Sequence, residues 1–450
     1  MGELSRRAFL GTGAAVGLAA CSDDAATVPT TGTPTSAAQV AAPTTDALVE
    51  LDPADWDSVR AQFALRPDVA HFSAFTLAAH PRPVAEAITR HRDGLDADTH
   101  DYLLEHQREL EEAVPSAASD YLGASPDEIA LTDSTTMGLG LLYGGIVLGP
   151  EQRVLTTEHD FYATHEALRL HTERSGGGVD RVRLYDEPAK ASVDEIVGRL
   201  DEAITPATRV IAVTWVHSGT GVRLPITEIA AAIAEHNDGR DTPDRALLCV
   251  DGAHGLGVED ASAEDLGADF LVAGTHKWLF GPRGTGIVWG RSEAWEAVQP
   301  TIPTFAAGGF ERYFTGVAVS TLTPGAAHTP GGYHSFEHRW ALAEAFRFHL
   351  DVGRERIAER TKTQARRLKQ GLGDIAAVRL VTPMDDELSS GIVCFELRSG
   401  DAFEVLDGLE RRQINASLTP YRDVYVRLGP SIVTTPEQVD DAIEAVAALA

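Results

Sequence analysis

Residues Phe270 to Gly284 read Phe-Leu-Val-Ala-Gly-Thr-His-Lys-Trp-Leu-Phe-Gly-Pro-Arg-Gly, and this segment gives the clearest indication of the fold. Its first four residues are typical of a buried strand, and its last four form a glycine-rich turn. Lys277 therefore follows a strand end, where α/β proteins build their sites. The chain has three other lysines. Lys190 lies in a turn-like region, and we expect Lys362 and Lys369, seven residues apart among Arg and Glu, on a solvated helix face.

Strand-like apolar runs alternate with helical patterns between about residues 116 and 330. The runs lie at 129–132, 153–157, 182–185, 210–215, 247–251, 270–273 and 286–289. This alternation predicts an α/β domain with a mainly parallel sheet flanked by helices. Beyond residue 330 the pattern predicts a long helix over 335–372, strands at 378–381, 392–397 and 424–428, and a closing helix near Pro436. We expect a smaller α+β C-terminal domain there.

The expected organisation has five segments. Residues 1–21 form a signal peptide, 22–48 a flexible linker, and 49–115 an N-terminal segment that packs on the small domain. The large domain covers 116–330, and the small domain covers 331–450. The linker is rich in Ala, Thr, Pro and Ser without apolar periodicity.

The first 21 residues resemble an export signal. Arg6 and Arg7 precede an apolar stretch over 8–20 that is too short to span a bilayer. The pair resembles a Tat signal, and Leu18-Ala19-Ala20-Cys21 resembles a lipoprotein box. We expect Tat-type export and a lipid anchor at Cys21, on the outer face of the cytoplasmic membrane or in the cell envelope. A chance Ala-rich stretch is the alternative.

Composition limits the partners and the redox chemistry. The net charge is -29 and the sequence pI is 4.8, so nucleic acid is not an expected partner, because binding to phosphates needs basic patches. Three cysteines cannot build a disulfide framework. Cys249 and Cys394 lie in apolar strand-like runs, and we expect both to be buried.

A carboxylate joins Lys277 at the same edge of the predicted sheet. Asp251 ends the apolar run Ala246 to Val250, one crossover unit before the lysine. Pyridoxal phosphate (PLP) chemistry needs a lysine, a carboxylate at the pyridine nitrogen and a phosphate anchor. A helix cap is the alternative role for an acid at a strand end.

These residues resemble one enzyme family. Asp251-Gly252-Ala253-His254, Ala268-Asp269-Phe270 and the His-Lys-x-x-x-Gly-Pro-x-Gly core after Thr275 resemble the class V, fold-type I PLP-dependent aminotransferase family, in its isopenicillin N epimerase-like branch. The resemblance extends from about residue 50 to the C-terminus. It implies a fold-type I PLP-transferase that binds PLP, acts on an amino-acid substrate and forms a homodimer with active sites at the interface.

The resemblance also assigns roles to residues around the cofactor. Lys277 resembles the Schiff-base lysine, and Asp251 resembles the partner of the pyridine nitrogen. His254 occupies the position that reaches the phenolic oxygen of the ring, and His276 the position of a phosphate contact. The Thr156-Thr157-Glu158-His159 segment matches the one whose histidine stacks on the ring, which nominates His159.

Phosphate and substrate contacts follow from the same resemblance. Arg427, before the last helix, resembles the arginine that binds the substrate carboxylate; a surface arginine is the alternative. Gly274 stands where cysteine desulfurases usually carry a serine, three residues before the lysine. We expect Thr275 or another hydroxyl to take the place of that serine. Ser134, Thr135 and Thr136 resemble the segment that forms the family's phosphate-binding cup; N-capping of the following helix is the alternative role. Gly332 and Tyr333 match the family segment that approaches the phosphate of the neighbouring subunit.

The expected reaction is change at the α-carbon of an amino acid, and epimerisation is favoured. A C–S lyase and an aminotransferase of the same fold are the alternatives, and a non-catalytic exported binding protein is a further one. Cysteine desulfuration is not expected, because desulfurases need a mobile cysteine in the loop at about 411–425, which has none here. His328, His334 and His338 lack a strong metal-ligand spacing, so no metal is expected.

Overall fold

A computed structural model describes residues 49–317 and 322–450. The expected signal peptide and linker, residues 1–48 with the anchor Cys21, lie outside the described residues. Within the described ranges, none of the helices combines the length and apolar character that crossing a bilayer requires.

The described residues contain thirteen strands and thirteen α-helices. The strands are β1 (Ala70–His71), β2 (Ile129–Thr132), β3 (Arg153–Thr157), β4 (Gly178–Val182), β5 (Thr208–Thr214), β6 (Leu247–Asp251), β7 (Phe270–Gly274), β8 (Gly286–Gly290), β9 (Val378–Leu380), β10 (Val393–Leu397), β11 (Ile414–Asn415), β12 (Ser417–Leu418) and β13 (Val426–Leu428). The helices are α1 (Trp56–Arg60), α2 (Arg82–Ala97), α3 (Thr99–Leu122), α4 (Thr135–Gly145), α5 (Tyr162–Ser175), α6 (Val193–Ala203), α7 (Ile226–Asn237), α8 (Ala307–Thr315), α9 (Pro324–His328), α10 (Phe336–Val352), α11 (Arg354–Gly373), α12 (Ala402–Glu410) and α13 (Pro436–Ala447).

A seven-stranded sheet forms the centre of the large domain, in the order β2-β8-β7-β6-β5-β3-β4. Strands β3 to β7 run parallel, and β8 is antiparallel to both of its neighbours. Side chains of β6 alternate between two apolar cores, with Leu248 and Val250 in one and Leu247 and Cys249 in the other. Burial on both faces explains why its strands read as continuous apolar runs. The predicted mainly parallel sheet is confirmed.

A second, antiparallel sheet has the order β12-β13-β10-β9. It shares an apolar core with residues of α11, α12 and α13, so the predicted smaller α+β domain is confirmed. Cys394 pairs with Arg427 across β10 and β13 and is buried, as is Cys249. The short strand β1 pairs in parallel with β11, while α2 and α3 pack on α10.

Three expectations from the sequence were wrong. The long helix predicted over 335–372 is two helices, because Gly353 has a φ of +95° and ends α10. The strand predicted at 182–185 lies earlier, as β4. Lys369 is buried rather than solvated, and its Nζ donates to Pro383 O at 3.0 Å and to Ser389 Oγ at 2.6 Å. A helix-face pattern cannot show that the loop between β9 and β10 will cover this lysine.

Candidate active site

Lys277 lies in a tight loop directly after β7. The loop folds on itself, since Phe280 N donates to Lys277 O at 2.9 Å and Gly281 N donates to Thr275 O at 2.8 Å. The Nζ atom of Lys277 lies 3.4 Å from Nε2 of His254. Burial lowers the pKa of Lys277 to about 8. The amine is therefore partly neutral near neutral pH, as a nucleophile or a base must be.

Asp251 ends β6, the strand beside β7, and its side chain is buried. Its Oδ1 accepts from Ala253 N at 2.9 Å, and its Oδ2 lies 3.4 Å from Thr164 Oγ1. Burial raises the pKa of Asp251 to about 6. A buried carboxylate with so few donors favours a cationic N–H partner, such as a protonated pyridine nitrogen.

Trp278 orients His254. The indole Nε1–H of Trp278 donates to His254 Nδ1 at 3.3 Å. A neutral imidazole that accepts at Nδ1 carries its proton on Nε2, and burial holds the pKa of His254 well below its usual value. The Nε2–H group thus faces the lysine amine, where it is available as a hydrogen-bond donor.

A polar cradle lies at the N-terminus of α4. Ser134 caps the helix through Met137 N at 3.2 Å, and the buried Thr135 Oγ1 accepts from Gly274 N at 2.7 Å, which joins the helix start to the end of β7. Thr136 is exposed, and Thr275 Oγ1 bonds to Thr285 Oγ1 at 2.5 Å. His276 has a buried Nδ1 that lacks a partner among the described residues. N–H groups at a helix N-terminus beside an unpaired imidazole nitrogen suit a phosphate.

His159 stacks face to face on Tyr185, with ring centroids 3.9 Å apart and an interplanar angle of 10°. Leu184 N donates to its Nε2 at 3.2 Å, and burial lowers the pKa of His159 to about 4. The ring is therefore neutral and fixed. The expected stacking on a cofactor would use the ring face that Tyr185 leaves open.

Arg427 is a buried residue on β13, which corrects the alternative of a surface arginine. Its Nε donates to Ser417 Oγ and its Nη1 donates to Ser218 O, both at 3.1 Å, while its guanidinium lies 4.7 Å from the Phe75 ring centre. These bonds use two of its five N–H donors. The described residues supply no carboxylate partner for it, so the group suits an incoming carboxylate.

Gly332 and Tyr333 do not join this cluster through any contact among the described residues. They lie in the loop before α10, and the Tyr333 side chain is 85% exposed. His328 stacks on Trp295, and His334 lies 3.3 Å from Glu111. Among the residues that the structure describes, no group of three or more His, Cys, Asp or Glu is placed to hold a metal ion.

Sequence reasoning missed three polar residues of the site. Besides Trp278, these are Ser218 and Tyr421, whose hydroxyls lie 2.8 Å apart. Tyr421 falls in the 411–425 loop, six residues before Arg427. That short spacing from Arg427 is the signal in the sequence that points to Tyr421.

The residues present fit PLP. Lys277 could hold its aldehyde, Asp251 its pyridine nitrogen, and the cradle with the unpaired His276 Nδ1 its phosphate. The described part of the chain leaves both His276 Nδ1 and the guanidinium of Arg427 with unused hydrogen-bonding capacity.

Fold and site together define a PLP-dependent enzyme of fold type I. The family model "Aminotransferase class-V" matches residues 78–418, and the chain belongs to this family. Its cofactor is pyridoxal 5′-phosphate.

Several known proteins are similar to the chain over most of its length. An isopenicillin N epimerase from Streptomyces clavuligerus is 27% identical over 406 residues, which cover 88% of this chain and 98% of that protein. A cysteine desulfurase from Klebsiella pneumoniae (strain 342) is 27% identical over 310 residues, covering 65% of this chain and 68% of that protein. The solved complex of the cystine C–S lyase C-DES with cysteine persulfide has a TM-score of 0.74 at 19% identity and covers 85% of this chain and 98% of that one.

Proposed function

We propose that this enzyme is an amino-acid epimerase that inverts the α-carbon of a substrate held by its carboxylate. The observation that carries the proposal is the arrangement of Lys277, Asp251 and Arg427. An amine with a lowered pKa, a buried acid and a buried arginine with free donors converge on one site. The similarity to isopenicillin N epimerases over nearly their whole length supports this choice of reaction.

Each residue has a defined task in this proposal. PLP, when bound, withdraws electrons from the α-carbon of the amino acid attached to it. Arg427 fixes the substrate carboxylate through its remaining N–H donors, and thereby sets the orientation of the α-carbon. Lys277 takes up the α-proton as a neutral amine. With PLP bound, Asp251 would hold the pyridine nitrogen in its protonated form, and His254 would offer its Nε2–H to the phenolic oxygen.

Cysteine desulfuration is the competing reaction, since several desulfurases are similar to the chain. A desulfurase needs a reactive thiolate. The loop at 411–425 has no cysteine. Cys394 lies in β10, where burial raises the pKa of its thiol to about 12. These observations support epimerisation over desulfuration.

Two measurements test the proposal. Purified protein with PLP should absorb at about 420 nm, and Lys277→Ala should abolish that band. The enzyme is then incubated in D₂O with isopenicillin N, L-glutamate, L-alanine and L-cysteine. We expect exchange of the α-proton with inversion of one substrate and without release of keto acid. Stoichiometric keto acid would instead support the C–S lyase or the aminotransferase.

We also propose a homodimer and Tat-type export with a lipid anchor at Cys21. The dimer rests on the family resemblance, and its mass in solution tests it. Export rests on the residues 5–21 alone. Fractionation of cells expressing the native chain or Cys21→Ala tests the anchor, since the variant should leave the envelope fraction.

A further inference from the structure

Tyr421 occupies the tip of the hairpin between β12 and β13. Thr419 closes this hairpin: its N donates to Tyr425 O at 2.9 Å, its Oγ1 accepts from Tyr425 N at 2.8 Å, and the same Oγ1 donates to Asp423 O at 2.8 Å. These bonds tie the two ends of the loop together. The position of Tyr421 is therefore set by the antiparallel pairing of Ser417 with Arg427.

The Tyr421 side chain projects from the small domain onto the large one. Its hydroxyl lies 2.8 Å from Ser218 Oγ, and its ring packs edge-on against Phe161, with centroids 5.9 Å apart. Gly219 permits this approach, because a Cβ there would lie 3.0 Å from Tyr421 Cδ2. The carbonyl of Ser218 accepts from Arg427 Nη1. Tyr421 therefore contacts the side-chain hydroxyl of Ser218, and Arg427 contacts the backbone carbonyl of the same residue.

The surroundings keep the Tyr421 proton in place. Burial raises the pKa of Tyr421 far above its usual value, while the hydrogen bond to Ser218 and the charge of Arg427 oppose this rise. The negative charge of Asp251 also contributes to the higher pKa of Tyr421. At neutral pH the resting Tyr421 hydroxyl therefore carries its proton.

Inversion at an α-carbon needs two proton-transferring groups, because the proton removed from one face must be replaced on the other. Lys277 serves one face. Two histidines beside Tyr185 are already engaged, since His159 stacks on Tyr185 and His217 Nδ1 lies 2.8 Å from the Tyr185 hydroxyl. Tyr421 is the protonated group that shares Ser218 with the arginine assigned to the carboxylate.

We propose that Tyr421 is the second catalytic acid, which delivers a proton to the α-carbon on the face opposite Lys277. This inference rests on the proposed epimerase function. The neutral Lys277 amine takes the α-proton as one C–H bond breaks, and the Tyr421 O–H supplies the proton of the new C–H bond. The enzyme is left with a lysine ammonium and a phenolate, and one proton passed from the first to the second through solvent restores both. In the reverse direction the two groups exchange roles.

The test compares Tyr421→Phe with wild-type enzyme and with the control Tyr425→Phe, a tyrosine of the same hairpin that lies beside Arg379. The probe is the substrate of the four-compound panel that wild-type enzyme inverts fastest. Two quantities are measured in D₂O for each enantiomer: α-proton exchange and inversion. The dissociation constant of each enantiomer is measured separately from the change in cofactor absorbance.

We expect Tyr421→Phe to lose about 100-fold or more in inversion, to retain exchange of the enantiomer that Lys277 deprotonates, and to keep both dissociation constants within about threefold. Tyr425→Phe should match the wild type. If Tyr421→Phe inverts as fast as the wild type, or loses binding and exchange of both enantiomers together, the assignment of Tyr421 is wrong while the epimerase proposal stands. A wild-type enzyme that never inverts any of the four compounds would overturn both.

Discussion

Asp251 should destabilise the cofactor-free protein, and Asp251→Asn should therefore raise the free energy of unfolding of that form. Burial raises the pKa of this carboxyl from 3.8 to about 6, which corresponds to about 3 kcal/mol of unfavourable free energy when the group is ionised in the fold. Asparagine has nearly the same size and shape as aspartate. Its Oδ1 would still accept from Ala253 N, and its amide would face Thr164 Oγ1.

The contribution of Asp251 to the free energy of unfolding depends on pH, and its sign follows from the raised pKa. Below about pH 4 the carboxyl is protonated in both the folded and the unfolded chain, so its contribution is zero. Between about pH 4 and pH 6 the unfolded chain releases the proton and the folded protein keeps it, so the stability contributed by this group falls as pH rises. Above about pH 6 the whole penalty is present. Asp251→Asn removes it, and the gain should approach 3 kcal/mol at about pH 8.

Denaturant unfolding of the cofactor-free proteins at several pH values measures this difference. The matched control is Asp265→Asn, since the hydrogen bond from Ser262 lowers the pKa of the exposed Asp265, and its loss should bring no gain at high pH. Added PLP should stabilise the wild type more than Asp251→Asn, because the cationic nitrogen pairs only with a carboxylate. A stability difference between wild type and Asp251→Asn that stayed constant from pH 4 to pH 8 would show that ionisation of Asp251 does not destabilise the fold.

Two further substitutions probe the substrate site and the buried lysine. Arg427→Lys should weaken amino-acid binding by about 10- to 100-fold and leave cofactor uptake unchanged, because lysine lacks the planar fork of the guanidinium. Absorbance titration measures amino-acid binding and cofactor uptake, and the exposed Arg379→Lys is the control. An unaltered dissociation constant for the amino acid would contradict the role of Arg427 in binding the substrate carboxylate. Lys369→Met should lower the free energy of unfolding by about 2 kcal/mol, because Pro383 O and Ser389 Oγ lose their donor. The exposed Lys190→Met should change stability by less than about 0.5 kcal/mol, and equal stabilities of the two variants would show that the buried contacts contribute nothing.

Much of the fold and part of the site were predictable from local sequence. Alternating apolar runs and helical patterns identified the parallel sheet, and the end of β6 and the loop after β7 identified Asp251 and Lys277. These features depend on residues close together in the chain, where strand burial and turn chemistry act directly. A stretch such as Phe270 to Gly284 contains its own strand, its own turn and its own lysine.

Contacts between distant segments required the tertiary structure. Ser218 is 209 residues from Arg427 and 203 from Tyr421, so no pattern in either segment indicates that they meet. The pairing of β12 with β13 and the packing of the small domain on the large one bring them together. The same reason accounts for Lys369, whose neighbours in its helix are charged but whose acceptors come from 383–389. Local sequence is enough to identify the residues capable of PLP chemistry. The polar groups that surround them follow from the folded chain, because burial and hydrogen bonding depend on neighbours in space.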